Sequence, residues 1–483
     1  MSARTGFLSI LVLLIFPLRS LPQSHTGHLS LPAVISDHMV LQQRANAVMW
    51  GWAGKGSQVN ITPGWTSKRY TVVTDSAGKW QARIPTPPAG GPYTVDFTSE
   101  ATHIRVKDVL IGEVWVCSGQ SNMEMPLKGY NKQPVLNAAA IIADAVNHPD
   151  IHVFRVPKVV SPVPLADCNG SWKVTDTATV KDFSAVAYQY AKILHEKLHV
   201  PIGIIATYWG GTAIQSWMSE KTLSAFPEVW STNRPDTIRD PEKNPEHSPA
   251  VLFNAMILPV SYYSVKGFIW YQGESNREHP LLYRRLLPAM VKEWRVLWGE
   301  GRLPFYYVQI APYGYADPRH EQLPAILRES QLLALRDIPN AGMAVILDAG
   351  EEKYIHPPDK TVVSQRLSYW ALSKTYHQKD IACVSPVFRK MKIRGSQAYL
   401  YFDFAKHGLT ANNKFLEHFE MAGSDHVFYP AAAVIVHRNQ VKVQCDSVAA
   451  PVAVRYAFKN WVKGELYNRE GLPASSFRTD DQQ

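Results

Sequence analysis

This chain of 483 residues is poor in cysteine and in charge. Its four cysteines are widely scattered, which excludes a disulfide scaffold, and no pair has the Cys-x-x-Cys spacing that indicates a zinc site. Charged residues make up 19% of the chain against 46% hydrophobic residues, a balance typical of a folded protein. The formal net charge of +9 is spread along the chain. Since no block of lysine and arginine occurs, a nucleic-acid partner is not expected.

Long apolar runs are also scarce. One run, at residues 7–16, follows Arg4 and is too short to cross a bilayer, which takes about 20 residues. We interpret residues 1–24 as a signal peptide with cleavage between Ser20 and Ser24; an uncleaved anchor is the alternative. No other stretch reaches the roughly 18 apolar residues of a spanning helix, so we expect an exported protein with no membrane association after signal removal.

Two regions carry the pattern of short β-strands. Residues 25–105 contain alternating runs separated by glycine- and proline-rich turns, which predicts an N-terminal β-sandwich domain. Similar runs return over residues 386–483 and predict a C-terminal β-rich domain. The runs are 48–50, 58–62, 70–74, 80–84 and 93–97 in the first region, and 398–404, 433–436, 441–443 and 452–456 in the second.

Between these regions, residues 106–385 alternate apolar strand-like runs with amphipathic segments of helix length. This alternation is typical of an α/β domain whose parallel sheet is covered by helices on both faces. The strand candidates are 113–116, 202–207, 267–271, 305–310 and 343–347, and the helix candidates are 184–198, 282–297, 324–336 and 361–376.

Residues suited to catalysis follow these strands at their carboxyl ends, where open parallel sheets bind ligands. Ser121 comes after the run 113–116 on a Gly-Gln turn and is a candidate nucleophile. The alternative is a helix cap, with Glu124 three residues later completing a capping box. Gly210 and Gly211 follow the run 202–207 and allow backbone N–H groups to approach a ligand, as an oxyanion hole requires, although ordinary turns have the same composition.

Two further strand ends carry an amide, a carboxyl group and an imidazole. Gln272 follows the run 267–271 and offers an amide donor to an oxyanion, with Glu274 beside it. A pair of carboxylates would suggest glycoside hydrolysis, but no second partner for Glu274 is evident. His356 lies on the loop after the run 343–347. A lone loop histidine is usually a surface residue, but its place after a strand of this sheet makes it a candidate general base for Ser121.

Four ordered motifs at these positions resemble the sialate O-acetylesterase family, within the SGNH/GDSL-type hydrolases. They are GQSNM at 119–123, GGT at 210–212, WYQGESN at 270–276 and IHP at 355–357, followed by Lys360. The strings at 31–41 and 472–480 are also similar to bacterial members. The resemblance covers nearly the whole mature chain.

The resemblance implies a serine esterase that removes O-acetyl groups from sugars, typically sialic acids, in the bacterial periplasm or outside the cell. No metal or organic cofactor is implied. Ser121 matches the family nucleophile and His356 the family base. The oxyanion donors would be the backbone N–H of Ser121, a backbone N–H at Gly210 or Gly211 and the amide of Gln272, with Glu274 and Asn276 in supporting positions.

The third member of the triad departs from the family pattern. Related sequences often carry an acid two residues before the histidine, where this chain has Tyr354. In the wider superfamily the acid lies three residues before the histidine, where this chain has Lys353. Asp348, at the end of the run 343–347, is the preferred replacement. The alternatives are Glu351, Glu352 or a backbone carbonyl that orients the histidine in a Ser–His dyad.

Other functions remain open on the sequence. The same chemistry would serve an acetylxylan or other hemicellulose esterase, because specificity lies in loops and pockets. A non-catalytic sugar-binding protein is the alternative from another class. A glycosidase using Glu274 is the third.

Overall fold

In the computed structural model of the chain, residues 27–230, 244–317 and 321–480 are described. The expected signal peptide at residues 1–24 lies outside them. Within these ranges, no helix combines the length and the apolar character that crossing a membrane requires. The four cysteines are unpaired, and Cys117 lies fully buried in the central sheet, which raises the pKa of its thiol.

The N-terminal region forms two small layers of β-structure. Strands β1, β3, β4 and β6 join β7 in one sheet, and β2 pairs with β5 in a separate two-stranded antiparallel sheet. Trp80 of β5 packs on Phe97 of β6, with ring centroids 5.9 Å apart, so an aromatic contact joins the two layers. The strands are β1 (Val40–Gln42), β2 (Asn46–Trp52), β3 (Gln58–Pro63), β4 (Tyr70–Val73), β5 (Lys79–Pro85), β6 (Gly90–Ser99) and β7 (Thr102–Gly119).

Strand β7 links this region to the centre of the molecule. Its first residues alternate between exposed and buried, as in a half-solvated antiparallel strand, whereas residues 109–119 are buried without interruption. The second pattern is that of a parallel strand covered on both faces. The domain boundary expected near residue 105 falls inside this strand, so the two sheets are continuous; the division into domains stays a prediction.

The central sheet has the order β13-β12-β11-β7-β10-β8-β9, and all its strands are parallel except β9. The remaining strands are β8 (Ile151–Arg155), β9 (Ser171–Val174), β10 (Ile202–Tyr208), β11 (Gly267–Tyr271), β12 (Phe305–Val308) and β13 (Ala341–Ala344). The helices are α1 (Ser121–Glu124), α2 (Ala138–Asp144), α3 (Ala185–Leu198), α4 (Glu220–Leu223), α5 (Pro227–Trp230), α6 (Pro280–Trp298), α7 (Leu323–Ala334) and α8 (Lys360–Trp370).

Helices cover both faces of this sheet, as the sequence predicts. Val114 and Val116 of β7 belong to the apolar cluster that contains the buried sides of α6 and α7. Trp115 and Cys117, on the opposite face, belong to the cluster that contains α3 and α8. Alternate residues of one central strand therefore contribute to two cores, and the expected α/β fold is confirmed.

The C-terminal region is β-rich, again as predicted. Its sheets have the orders β14-β15-β20-β19 and β18-β17-β21-β23, with β16 paired to β22. Arg328 of α7 is fully buried and donates to the Ser476 hydroxyl at 3.0 Å and to the Ala457 carbonyl at 3.3 Å, which fastens this region to the central domain. The strands are β14 (Val387–Arg394), β15 (Gln397–Asp403), β16 (Leu409–Thr410), β17 (Phe419–Ala422), β18 (Phe428–Pro430), β19 (Ala432–His437), β20 (Gln440–Gln444), β21 (Ala453–Tyr456), β22 (Tyr467–Asn468) and β23 (Phe477–Arg478).

Candidate active site

Three of the four motifs leave neighbouring strands at the same level of the sheet. Gly119, the last residue of β7, is in register with Tyr208 of β10 on one side and with Tyr271 of β11 on the other. The segments after these strands therefore start side by side. Because the strands are parallel, this edge is their carboxyl end, where the sequence analysis places the site.

A glycine is required where β7 turns into α1. Gly119 has φ +143°, and a β-carbon there would lie 2.2 Å from the carbonyl oxygen of Tyr271. The turn is tied to β11 because the N–H of Gln120 donates to that same carbonyl at 3.0 Å. Ser121, half-buried, is the first residue of α1. Its N–H belongs to the first helical turn, whose N–H groups have no acceptor within the helix.

Hydrogen bonds and ring contacts of neighbouring residues connect the segment of His356 with that of Ser121. The Asn122 side chain donates to the Ile355 carbonyl at 3.0 Å, which joins the residue after the serine to the residue before the histidine. Tyr130 makes a second link. Its hydroxyl donates to the Ser121 carbonyl at 3.3 Å, and its ring packs edge-on against the imidazole of His356, with centroids 5.3 Å apart.

A buried network lies beneath these two residues. Lys360, the first residue of α8 and fully buried, donates to the Asn122 side-chain oxygen at 2.6 Å. The Asn122 amide donates in turn to Glu274 at 2.7 Å. Asn122 therefore bridges a buried cation and a buried carboxyl group, which holds its own side chain in one orientation.

Burial dominates the electrostatics of the site. It raises the pKa of the Glu274 carboxyl and lowers the pKa of Lys360 to about 7. Burial, together with the nearby Lys360 ammonium, lowers the pKa of His356 to about 4. The imidazole is therefore neutral through the weakly acidic and neutral range, which is the form that accepts a proton.

Two of the expected oxyanion donors are already engaged. Gln272 is fully buried, and its amide donates to Asn276 at 2.8 Å and to the Thr212 carbonyl at 3.2 Å, so the expectation that it faces an oxyanion is corrected. The N–H of Gly210 donates to Glu124 at 2.6 Å. Both groups hold the protein's own loops together instead of facing a ligand.

Gly211 is placed differently. Its φ is +80°, and its carbonyl accepts from the Ser275 hydroxyl at 2.7 Å, which holds the peptide that follows Gly211. Within the described ranges, neither its N–H nor that of Ser121 has a protein acceptor. Gly210 lies directly over the serine, since a β-carbon there would come 3.2 Å from the Ser121 β-carbon.

Asn276 supports this arrangement. Its side-chain oxygen accepts from the Ile214 N–H at 2.9 Å as well as from Gln272, and its amide donates to Gln215 at 3.0 Å. Asn276 and Glu274 therefore bind other side chains and backbone groups of the site, which are the supporting positions that the sequence analysis expects.

Asp348 does not contact His356. Its carboxylate makes a two-point ion pair with Arg366 of α8, at 2.6 and 2.8 Å. A guanidinium matches both carboxylate oxygens at once, so it captures this acid. The expectation that Asp348 orients the histidine is therefore corrected. The alternatives Glu351 and Glu352 are exposed to solvent.

The partner of the His356 ring is a glutamine. The Nδ1 atom lies 2.6 Å from the side-chain oxygen of Gln133, a residue 223 positions away in the chain. Sequence reasoning missed Gln133 and Tyr130, since neither belongs to a motif and neither follows a strand. Tyr354, the residue two before the histidine, is 47% exposed and takes no part in this contact.

Comparisons with known proteins identify the family of this chain. Residues 111–356 match the family model described as carbohydrate esterase, sialic acid-specific acetylesterase. The sialate O-acetylesterase of Homo sapiens is 29% identical over 465 residues, covering 88% of this chain and 87% of that protein. That of Mus musculus is 28% identical over 496 residues, covering 88% and 89%.

A solved structure is similar over nearly the full length. The crystal structure of a novel carbohydrate acetylesterase from Xanthomonas citri superposes with a TM-score of 0.85 at 36% identity, covering 94% of this chain and 99% of that one. The family model covers more than half of the chain and ends at His356, so its span holds the motifs of Ser121, Gly210 and Gln272 as well. The chain is therefore a member of the carbohydrate esterase family of sialic acid-specific acetylesterases, and it is a carbohydrate O-acetylesterase.

Proposed function

We propose that this chain removes O-acetyl groups from sialic acids, with Ser121 as nucleophile and His356 as general base. The observation that carries the proposal is the pair of links between the two residues: the Asn122–Ile355 hydrogen bond and the contacts of Tyr130 with both. A weak nucleophile such as a serine hydroxyl needs a base within reach, and these links hold the imidazole at the serine turn.

The reaction follows from these positions. The Ser121 oxygen attacks the acetyl carbonyl carbon while His356 takes the serine proton. When the tetrahedral intermediate collapses, the C–O bond to the sugar breaks and the sugar oxygen leaves with the proton from His356. Water, activated by the same imidazole, then attacks the acetyl-serine, and acetate leaves as the serine regains its proton.

The negative charge of the intermediate needs donors that are free. We assign this role to the N–H groups of Ser121 and Gly211, because the amide of Gln272 and the N–H of Gly210 are engaged elsewhere. A backbone donor in a preorganised loop contributes without reorganisation, and the loss of one such donor costs about 10²–10³ in turnover.

Sialic acid as the substrate is supported by the names of the human and mouse relatives. The free carboxylate of such a sugar favours a nearby arginine. Arg277 follows the Gln272 motif, stacks on the Tyr315 ring at 4.9 Å and donates to the Glu274 carbonyl at 3.3 Å, so it is our candidate. Arg319, a second arginine that could serve this role, lies outside the described residues.

The test is acetate release by the purified protein from a 9-O-acetylated sialoside and from acetylated xylan, side by side. Ser121→Ala is expected to lower turnover by about 10⁴–10⁶. Ser224→Ala, at an exposed serine, is the matched control and is expected to leave turnover unchanged. Near-normal turnover of a folded Ser121→Ala variant would refute the nucleophile.

The two substrates separate the alternatives. Preference for the sialoside supports the substrate class, and preference for xylan keeps the mechanism and overturns the substrate. Release from neither by the folded protein would favour a sugar-binding function instead.

We also propose that the protein is exported, to the periplasm or out of the cell. The apolar run at 7–16 behind Arg4 supports this. The test is mass spectrometry of the protein recovered from the periplasm or the medium of expressing cells. We expect a chain shortened by the signal peptide, and a full-length chain that stays in the cytoplasm contradicts the proposal.

A further inference from the structure

The loop after α1 carries Gln133, a residue outside the four motifs whose side chain contacts His356. We propose that Gln133 is the positioning residue of His356 and takes the place of a triad acid: its side-chain oxygen accepts a hydrogen bond from the Nδ1–H group and leaves Nε2 free to act as the base. This inference rests on the proposed roles of Ser121 and His356.

The hydrogen bond itself selects the tautomer. The Gln133 oxygen lies 2.6 Å from Nδ1, and an amide oxygen can only accept a hydrogen bond. The neutral imidazole therefore carries its hydrogen on Nδ1, and the lone pair is on Nε2. In a triad the acid has the same two tasks, to hold the ring and to select this tautomer.

The segment that presents Gln133 is held by its own backbone. Tyr130 and Gln133 exchange two backbone hydrogen bonds, of 2.9 and 3.0 Å. Gly129 has φ +77°, and a β-carbon there would lie 2.5 Å from the Gln133 carbonyl oxygen, so the turn closes tightly. A further bond, from the Leu136 N–H to the Pro358 carbonyl at 2.9 Å, ties the same segment to the loop of the histidine.

One turn thus touches both halves of the catalytic pair. Gln133 holds the His356 ring, while Tyr130 packs on that ring and donates to the Ser121 carbonyl. In an unstructured loop, a glutamine that contacts the imidazole would have to give up backbone and side-chain conformational entropy. Here the turn already fixes the backbone of Gln133, so only the side chain has to be ordered.

An amide differs from an acid in charge. A carboxylate beside the ring would favour the imidazolium and raise its pKa, but Gln133 is neutral. The Lys360 ammonium on α8 acts on His356, the Tyr130 phenol packs on its ring, and the Glu274 carboxyl after β11 lies beyond Asn122. With burial and the Lys360 ammonium both acting against protonation, the His356 pKa lies near 4, so this base stays active in acid.

The experiment compares Gln133→Ala and Gln133→Glu with Asn131→Ala, an exposed position on the same turn, as the control. We expect Gln133→Ala to lower kcat about tenfold, the loss of one hydrogen bond, with KM unchanged. Gln133→Glu keeps the acceptor and adds a charge. It is expected to restore kcat at neutral pH and to move the acidic limb of kcat/KM upward by about one pH unit or more.

Each outcome decides the matter. Loss in Gln133→Ala together with an upward shift of the limb in Gln133→Glu supports the proposal. Wild-type kcat in Gln133→Ala, or an unmoved limb in Gln133→Glu, overturns it while Ser121→Ala remains inactive. Activity in Ser121→Ala would instead overturn the proposed function. If Gln133→Ala does not fold, the limb of the Gln133→Glu variant still tests the proposal.

Discussion

Ser121 and His356 reach the site by different routes. Ser121 follows the central strand of the sheet, where the register of β7 with β10 and β11 fixes the backbone on both sides. His356 lies 12 residues beyond the end of β13, on a loop without regular structure. Side chains from distant segments, Gln133 and Asn122 among them, determine its place.

This difference indicates which property a substitution near each of the two residues will affect. On the serine side, backbone geometry does the positioning, so changes there are expected to affect the stability of the fold. On the histidine side, a few hydrogen bonds do it, so changes are expected to affect turnover more than stability. Substitutions on the two sides can therefore break or sharpen this contrast.

The largest effect is expected at the histidine. His356→Ala removes the base and should lower turnover by about 10⁴–10⁶, as for the nucleophile. Since the residue is half-buried on a loop, the melting temperature should hardly change. Tyr354→Phe, two residues away and exposed, is the control. A His356→Ala variant with substantial activity would remove the general base from the mechanism.

The next effect is expected in the buried network that joins the two sides. Lys360→Met leaves Glu274 without its nearby cation and should lower the free energy of unfolding by about 3–5 kcal/mol. The double variant Lys360→Met/Glu274→Gln removes both charges and should recover part of the loss. Urea unfolding of Lys360→Met, Glu274→Gln and the double variant measures this, and additive losses would contradict the coupling through Asn122.

A smaller effect is expected at the serine turn. Gly119→Ala forces a β-carbon against the Tyr271 carbonyl at φ +143° and should cost about 2–3 kcal/mol of unfolding free energy. Gly56→Ala is the matched control, since its φ is +73° and nothing lies within 4 Å of the added carbon. The difference between their unfolding midpoints isolates the clash, and equal losses would refute the tight turn.

The smallest effect on turnover is expected at Asp348. Asp348→Asn breaks the two-point pair with Arg366 and should lower the unfolding free energy by about 1–3 kcal/mol. The kcat of this variant should stay within a factor of about two of the wild-type value, and its pH profile should not shift, because this carboxylate does not touch the histidine. A large loss of kcat in the folded variant would return Asp348 to the triad.

Most of the strands could be predicted because their pattern is local. The runs at 58–62, 267–271 and 398–404 were found almost to the residue, since alternation or continuous burial marks each of them. The run at 343–347 predicts a strand that begins two residues too late. The strand is Ala341–Ala344, where Gly342 packs against Trp370 of α8, a contact that no local pattern reveals.

The candidate site divides in the same way. Motifs next to strand ends predict Ser121, Gly210, Gly211 and His356 as candidate site residues, because parallel strands carry their C-terminal residues to one edge. The strand pattern predicts Asp348, at the end of the run 343–347, as the third partner, and this is wrong for a physical reason: Arg366 offers that carboxylate two donors. Gln272 was likewise identified, but its amide is engaged by Asn276.

The sequence by itself determines the α/β architecture, the flanking β regions and the strand ends that carry the chemistry, because hydrophobic periodicity and turn residues act over short distances. Only the tertiary structure decides which polar groups pair. Gln133 and His356 are 223 residues apart, and their hydrogen bond exists because the packing of the turn after α1 against the loop after β13 brings them together. Which donor pairs with which acceptor depends on their distance in the folded protein, and that distance cannot be read from the order of residues in the chain.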